Sequence, residues 1–218
     1  MKGLLVKDIR FLWGQKSSLV TFVALGLFFL ITGEDPSFGL IYAMMLAGLL
    51  STSSISYDSH ENGMAFLLTL PIQKKTYVVG KYLFSLIVTG VMGAVIFGLA
   101  FGCDVFGARA IDMSMLAESF VAAITVGMVI VSFLIPIYVI FGAEKARVAI
   151  LVMVGIAVAG YFVITKLFAD SMEKATRLLA KLDTLSDLQS ALLVTGILLA
   201  MLLISMIITI VGLEKKEY

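Results

Sequence analysis

Apolar residues in this chain fall into long runs separated by short polar breaks. The runs cover Ser17–Thr32, Phe38–Tyr57, Tyr77–Phe101, Met115–Phe141, Val148–Phe168 and Ser190–Leu213. A bilayer-spanning helix needs about 20 apolar residues. The pattern therefore predicts an all-α, polytopic membrane protein with six transmembrane helices, forming one transmembrane domain over residues 1–218. The first run is short, and its helix can begin earlier, near Leu12. Ahead of it, Leu5, Ile9, Leu12 and Trp13 share one face at helical spacing, while Lys7, Asp8 and Arg10 lie off that face. This predicts an interfacial helix over residues 1–16, with Trp13 at headgroup depth. After the fifth run, Phe168, Met172, Ala175, Leu179 and Leu182 repeat at four and three. With the i,i+4 pairs Asp170–Lys174 and Glu173–Arg177, they predict an extracellular amphipathic helix over 170–183.

Composition supports the bilayer. The 218 residues are 61% hydrophobic and 14% charged, and the mean hydropathy is +1.08. Soluble domains carry about a quarter charged residues, so a single soluble core cannot cover these side chains. A net charge of +1 gives no reason to expect nucleic acid. Cys103 is alone, so no internal disulfide is expected. With His60 it offers no metal-ligand cluster. A cleaved signal peptide is not expected, because Glu34-Asp35-Pro36 leads straight into another apolar run.

Basic residues set the orientation. Lys2, Lys7, Arg10 and Lys16 precede the first run, Lys74, Lys75 and Lys81 lie between the second and third, Lys145 and Arg147 between the fourth and fifth, and Lys215 and Lys216 in the tail. The opposite side carries Arg109, Lys166, Lys174, Arg177 and Lys181 among several acids. Both termini are expected in the cytosol.

Inside the runs, Gly39, Ala43, Ala47 and Ser51 form a small-residue stripe on the second span, and Gly90, Ala94, Gly98 and Gly102 another on the third. Such stripes let helix backbones approach, within one chain or between two. Pro136 removes a backbone donor, so a kink near Ser132–Ile135 is expected, as a hinge or as fixed shape. No charged residue stands at the middle of a span, which argues against an ion-coupled carrier. There is no Gly-x4-Gly-Lys-[Ser/Thr] loop for nucleotide.

The break between the second and third runs predicts a short cytosolic helix over 58–70. Asp58 can cap it, with Glu61 reaching back to its amide. Phe66, Leu67, Leu68 and Leu70 present an apolar surface, His60, Glu61 and Asn62 a polar rim, and Pro71 ends the ladder. Such a stub either enters a partner's groove or dips into lipid.

Here the chain resembles a family, the bacterial type-two ATP-binding-cassette exporter permeases. The stretch SISYDSHENGMAFLLTLPIQKKTYVVGKY is similar to their most typical segment. MKGLLVKDIRFL resembles their N-terminal amphipathic helix, and LIPIYVIFGAEKAR their fourth span and following loop. The resemblance implies a membrane-spanning subunit in the bacterial plasma membrane that is not itself an enzyme. It would pair with a second permease chain, identical or related. ATP and magnesium would act in a separate cytosolic ATP-binding subunit, with no cofactor in this chain. Asp58, His60, Glu61, Asn62, Phe66, Leu67 and Leu70 would form the coupling helix seated on that subunit. Because no charged side chain lines the middle of the spans, the expected cargo is hydrophobic or amphipathic, such as a peptide, a lipid or a drug. The alternatives are a non-conducting structural or regulatory subunit and, further off, a membrane-embedded enzyme, for which clustered His, Glu or Asp residues are missing.

Overall fold

The computed structural model describes residues 2–33, 35, 37–59, 63–69, 73–106, 113–167 and 187–216. Seven helices fill them: α1 (Lys2–Gly14), α2 (Lys16–Thr32), α3 (Ser37–Ser59), α4 (Gly63–Thr69), α5 (Lys74–Val105), α6 (Met113–Leu167) and α7 (Asp187–Glu214). The expected helix over 170–183 lies outside the described residues.

Four stretches are long and apolar enough to cross a membrane: Ser37–Ser59, Lys74–Val105, Leu116–Val152 and Leu192–Glu214. A fifth is possible by length if α1 and α2, bent by 70° where they meet at Gln15, count as one broken span. The runs expected as fourth and fifth spans both fall in α6, which has 55 residues. A straight helix of that length would reach about 80 Å, far beyond the bilayer's apolar thickness of about 30 Å. It is interrupted at Gly142, whose φ of 78° and ψ of 165° leave the helical region. Glycine adopts that φ without a side-chain penalty.

Pro136 lies inside α6, and among the described residues of that helix the departure from helical angles is at Gly142, six positions further on. Proline leaves the carbonyl of the residue four before it without its amide donor. That carbonyl belongs to Ser132, and the Ser205 hydroxyl on α7 donates to it. A side chain from the neighbouring helix thus replaces the lost ladder bond, as membrane helices allow.

The helices share two contiguous cores. One joins α2, α3, α5 and α6 through Leu30, Leu40, Met44, Phe84, Ile96 and Leu116. The other joins α1, α3, α5, α6 and α7 through Leu4, Ile55, Tyr77, Ile135 and Leu213. The small-residue stripe of α3 serves the first. A Cβ at Gly39 would stand 2.7 Å from the Gly26 carbonyl oxygen and 2.9 Å from the Leu30 amide nitrogen, so α2 and α3 cross with their backbones in near contact. The stripe of α5 behaves differently. A Cβ at Gly90, Gly98 or Gly102 would meet nothing within 4 Å, and Ala94 is exposed. That face of α5 is open, while Gly93 on the other side packs against Met44 and Phe120.

Candidate functional site

The two ends of the bundle differ in chemistry. At one end, Ser37 at the start of α3 and Ser119 near the start of α6 share a hydroxyl–hydroxyl hydrogen bond. At the other end, α1, α3 and α5 meet around buried charge. Ser54 and Asp58 lie four apart on α3, and Tyr77 and Lys81 four apart on α5, so each pair shares one helix face. Lys81 is 2% exposed, Asp8 1% and Asp58 4%. The Lys81 ammonium donates to Asp8 Oδ1 at 2.8 Å and to Ser54 Oγ at 2.6 Å, and it pairs with Asp58 Oδ2 at 2.7 Å. Tyr77 donates its hydroxyl proton to the same Asp58 oxygen at 3.0 Å. Lys7 pairs with Asp58 Oδ1 and approaches Asp8 at 3.4 Å.

Two acids and two bases thus neutralise one another, with Lys81, Asp8 and Asp58 buried and Lys7 about one-third exposed at the edge. The second oxygen of Asp8, Oδ2, is buried with no hydrogen-bond partner among the described residues. Removing one member of a buried pair typically costs about 3–5 kcal/mol, because an uncompensated charge stays behind. The cluster therefore fixes α1 to the adjoining ends of α3 and α5.

Directly between those ends lies the short helix. Asp58 does not cap it: α3 runs on through Ser59, and α4 begins at Gly63. The expected helix over 58–70 is thereby shorter, and the Asp58 carboxylate faces the ion cluster rather than a partner. Gly63 is needed where the chain turns, since a Cβ there would stand 2.8 Å from the Asp58 carbonyl oxygen. Within α4, Met64 is 4% exposed and joins the second core together with Leu67, while Phe66 is 67% exposed. The expected apolar surface is thus divided, with Leu67 anchoring the stub and Phe66 facing out. His60, Glu61, Asn62 and Leu70 lie outside the described residues.

The same end gathers the remaining helix termini. Lys74, at the first turn of α5, donates to the carbonyls of Leu213 at 3.1 Å, Glu214 at 3.4 Å and Lys216 at 2.8 Å. It caps α7 from the side, satisfying carbonyls that a helix end leaves open. Lys216 reaches the Val139 carbonyl at 3.3 Å, in the last turn before the Gly142 break. Burial pushes the Lys216 ammonium below the usual lysine range, and the Lys145 charge pushes it the same way. Deeper in, Tyr82 shares hydrogen bonds with Ser205 at 2.6 Å and Thr209 at 3.0 Å, joining α5 to α7.

In the sequence alone, Lys81 and Lys7 are flanking charges that report topology, and Asp8 lies on the polar face of the N-terminal helix with no partner in view. The available signal was the matching of opposite charges at the adjoining ends of three apolar segments. Among the described residues no group of His, Cys, Asp and Glu is arranged to hold a metal ion.

The family model described as ABC-2 family transporter protein covers residues 3–214. No curated protein and no solved structure matches the chain.

Proposed function

The chain belongs to the ABC-2 family of transporter proteins, a multi-pass membrane permease, and from that premise we propose that it is the membrane-spanning subunit of an exporter driven by ATP hydrolysis on a separate cytosolic subunit. Two permease chains pair in this reading, and the open stripe Gly90, Ala94, Gly98 and Gly102 is a surface on which a second backbone can lie. ATP and magnesium belong to the partner subunit. The cargo is hydrophobic or amphipathic. The membrane is the bacterial plasma membrane, with both termini in the cytosol. Six crossings result if α6 spans twice, once on each side of Gly142. Residues 143–167 alone would reach about 37 Å as a helix, enough for one passage.

The observation that carries the coupling role is the placement of α4. It hangs between the ends of α3 and α5, its inner face is anchored by Met64 and Leu67, and Phe66 points outward. The ion cluster binds α1 to those same two ends. A partner that grips Phe66 therefore moves a stiff three-helix end. Nucleotide-driven closure of the partner would shift the spans between inward-open and outward-open populations.

The test is co-purification with the candidate cytosolic ATPase, followed by measurement of ATP turnover in lipid. A stable complex with permease-dependent turnover is expected, and Phe66→Ala or Glu61→Ala should disturb coupling while the protein still inserts. If both substitutions leave binding and turnover untouched, α4 is not the coupling element. If the complex forms but cargo never moves, the chain is a structural subunit.

A further inference from the structure

Between α6 and α7 runs a cavity of about 730 Å³, within the range of about 300–1,000 Å³ typical of small-ligand sites. Val121 and Met128 of α6 and Val194 and Leu198 of α7 supply apolar wall. Thr125 and Thr195 also line it, and the Thr125 hydroxyl donates to the Val121 carbonyl at 2.9 Å. Among the described residues the lining has one charged side chain, Glu118, which is exposed. Glu118 adjoins Ser119, whose bond to Ser37 marks the end of the bundle opposite the ion cluster. From Glu118 to Met128 the groove follows α6 for about 15 Å, roughly half the apolar thickness of a bilayer. It is therefore polarised, with a carboxylate at the mouth and hydrocarbon below.

We propose that this groove binds a small amphiphile with one cationic head and one apolar tail, the head at Glu118 and the tail along Val121, Met128 and Leu198. Charge complementarity selects the head. A carboxylate at the edge of a low-dielectric groove attracts a cation and repels an anion more strongly than it would in water. Wall chemistry selects the tail, because apart from Thr125 and Thr195 the described wall below Glu118 is hydrocarbon. The proposal deepens the exporter reading and rests on it for the claim that such a cation is cargo, and for placing Glu118 on the outer side.

The full chain in nanodiscs of phosphatidylcholine is titrated with radiolabelled dodecyltrimethylammonium, and separately with dodecyl sulfate and dodecanol, against empty nanodiscs. Saturable ammonium binding is expected, about tenfold or more tighter than that of the sulfate. Glu118→Gln should weaken ammonium binding about tenfold while leaving dodecanol unchanged. The residue is exposed, so folding is not at stake. Val194→Trp, which fills the groove, should weaken both ligands. The proposal is overturned if the ammonium shows no saturable binding, if Glu118→Gln binds it as wild type does, or if the sulfate binds equally well. No ATPase is present in this experiment. Failure of the exporter reading appears instead as absent ATP coupling in a chain that still binds the ammonium.

Discussion

Lys81 and Asp8, 73 positions apart in sequence, meet at 2.8 Å with almost no access to solvent. Their attraction is set against the cost of dehydrating both, so the pair resists loss of one member more than loss of both. Lys81→Met should lower stability by about 3–5 kcal/mol. The double variant Lys81→Met with Asp8→Asn should recover part of that loss. Thermal unfolding of the two single variants and the double variant in detergent measures the coupling. Additive losses would show that the two side chains do not act as a pair.

Phe66 and Met64 stand two residues apart on α4 and separate docking from folding. Met64→Ala deletes a buried side chain and should cost about 2–5 kcal/mol. Phe66→Ala should stay within about 0.5 kcal/mol of wild type, yet weaken ATPase binding about tenfold or more. Parallel unfolding and pull-down measurements decide this. A large stability loss in Phe66→Ala with unchanged ATPase binding would reverse the two assignments.

Gly39 and Gly98 are both glycines on small-residue stripes, and they should answer differently to leucine. At Gly39 the new side chain collides with the backbone of α2, and overpacking of that kind costs about 1–3 kcal/mol. At Gly98 it enters open space and should leave the unfolding temperature of the single chain unchanged. If two chains pair along that stripe, Gly98→Leu should instead reduce cross-linking between them. Equal unfolding losses at both positions would contradict the open face.

Much of this architecture is legible in the pattern of apolar residues. The runs place α2, α3, α5 and α7 within a few residues of their ends, since a bilayer admits little else for such stretches. Three features are not legible that way. The break in α6 at Gly142 is marked by nothing in the apolar pattern, and the Ser205 hydroxyl that replaces the donor Pro136 lacks comes from a helix more than sixty residues downstream. The predicted stub loses its first residues to α3, since Asp58 gains more from Lys7, Lys81 and Tyr77 than from capping. The ion cluster itself is hidden because its members sit at the ends of separate runs, where isolated charges ordinarily face water. Only the packing of α1 against α3 and α5 brings them together.

Lys216 offers a pH measurement. Its folded value lies below the ordinary lysine value of 10.5, first through burial and then through Lys145. Between the folded and unfolded values the unfolded chain holds more protons, so this group's contribution to stability rises with pH. Lys145→Ala removes the lesser cause and should move the Lys216 titration upward without restoring it fully. Carbon NMR of labelled lysine side chains follows it directly. An unchanged Lys216 titration in that variant would mean that the Lys145 charge does not reach it.

The grip of Lys74 on the carbonyls of Leu213, Glu214 and Lys216 also orders events during biogenesis. A ribosome delivers Lys74 well before the segment it holds, so the entrance to α5 waits with its ammonium in water until nearly the whole described chain has been translated. Insertion of α7 then brings it against α5 and α6. A nascent chain halted before α7 would expose this seam to quality-control proteases.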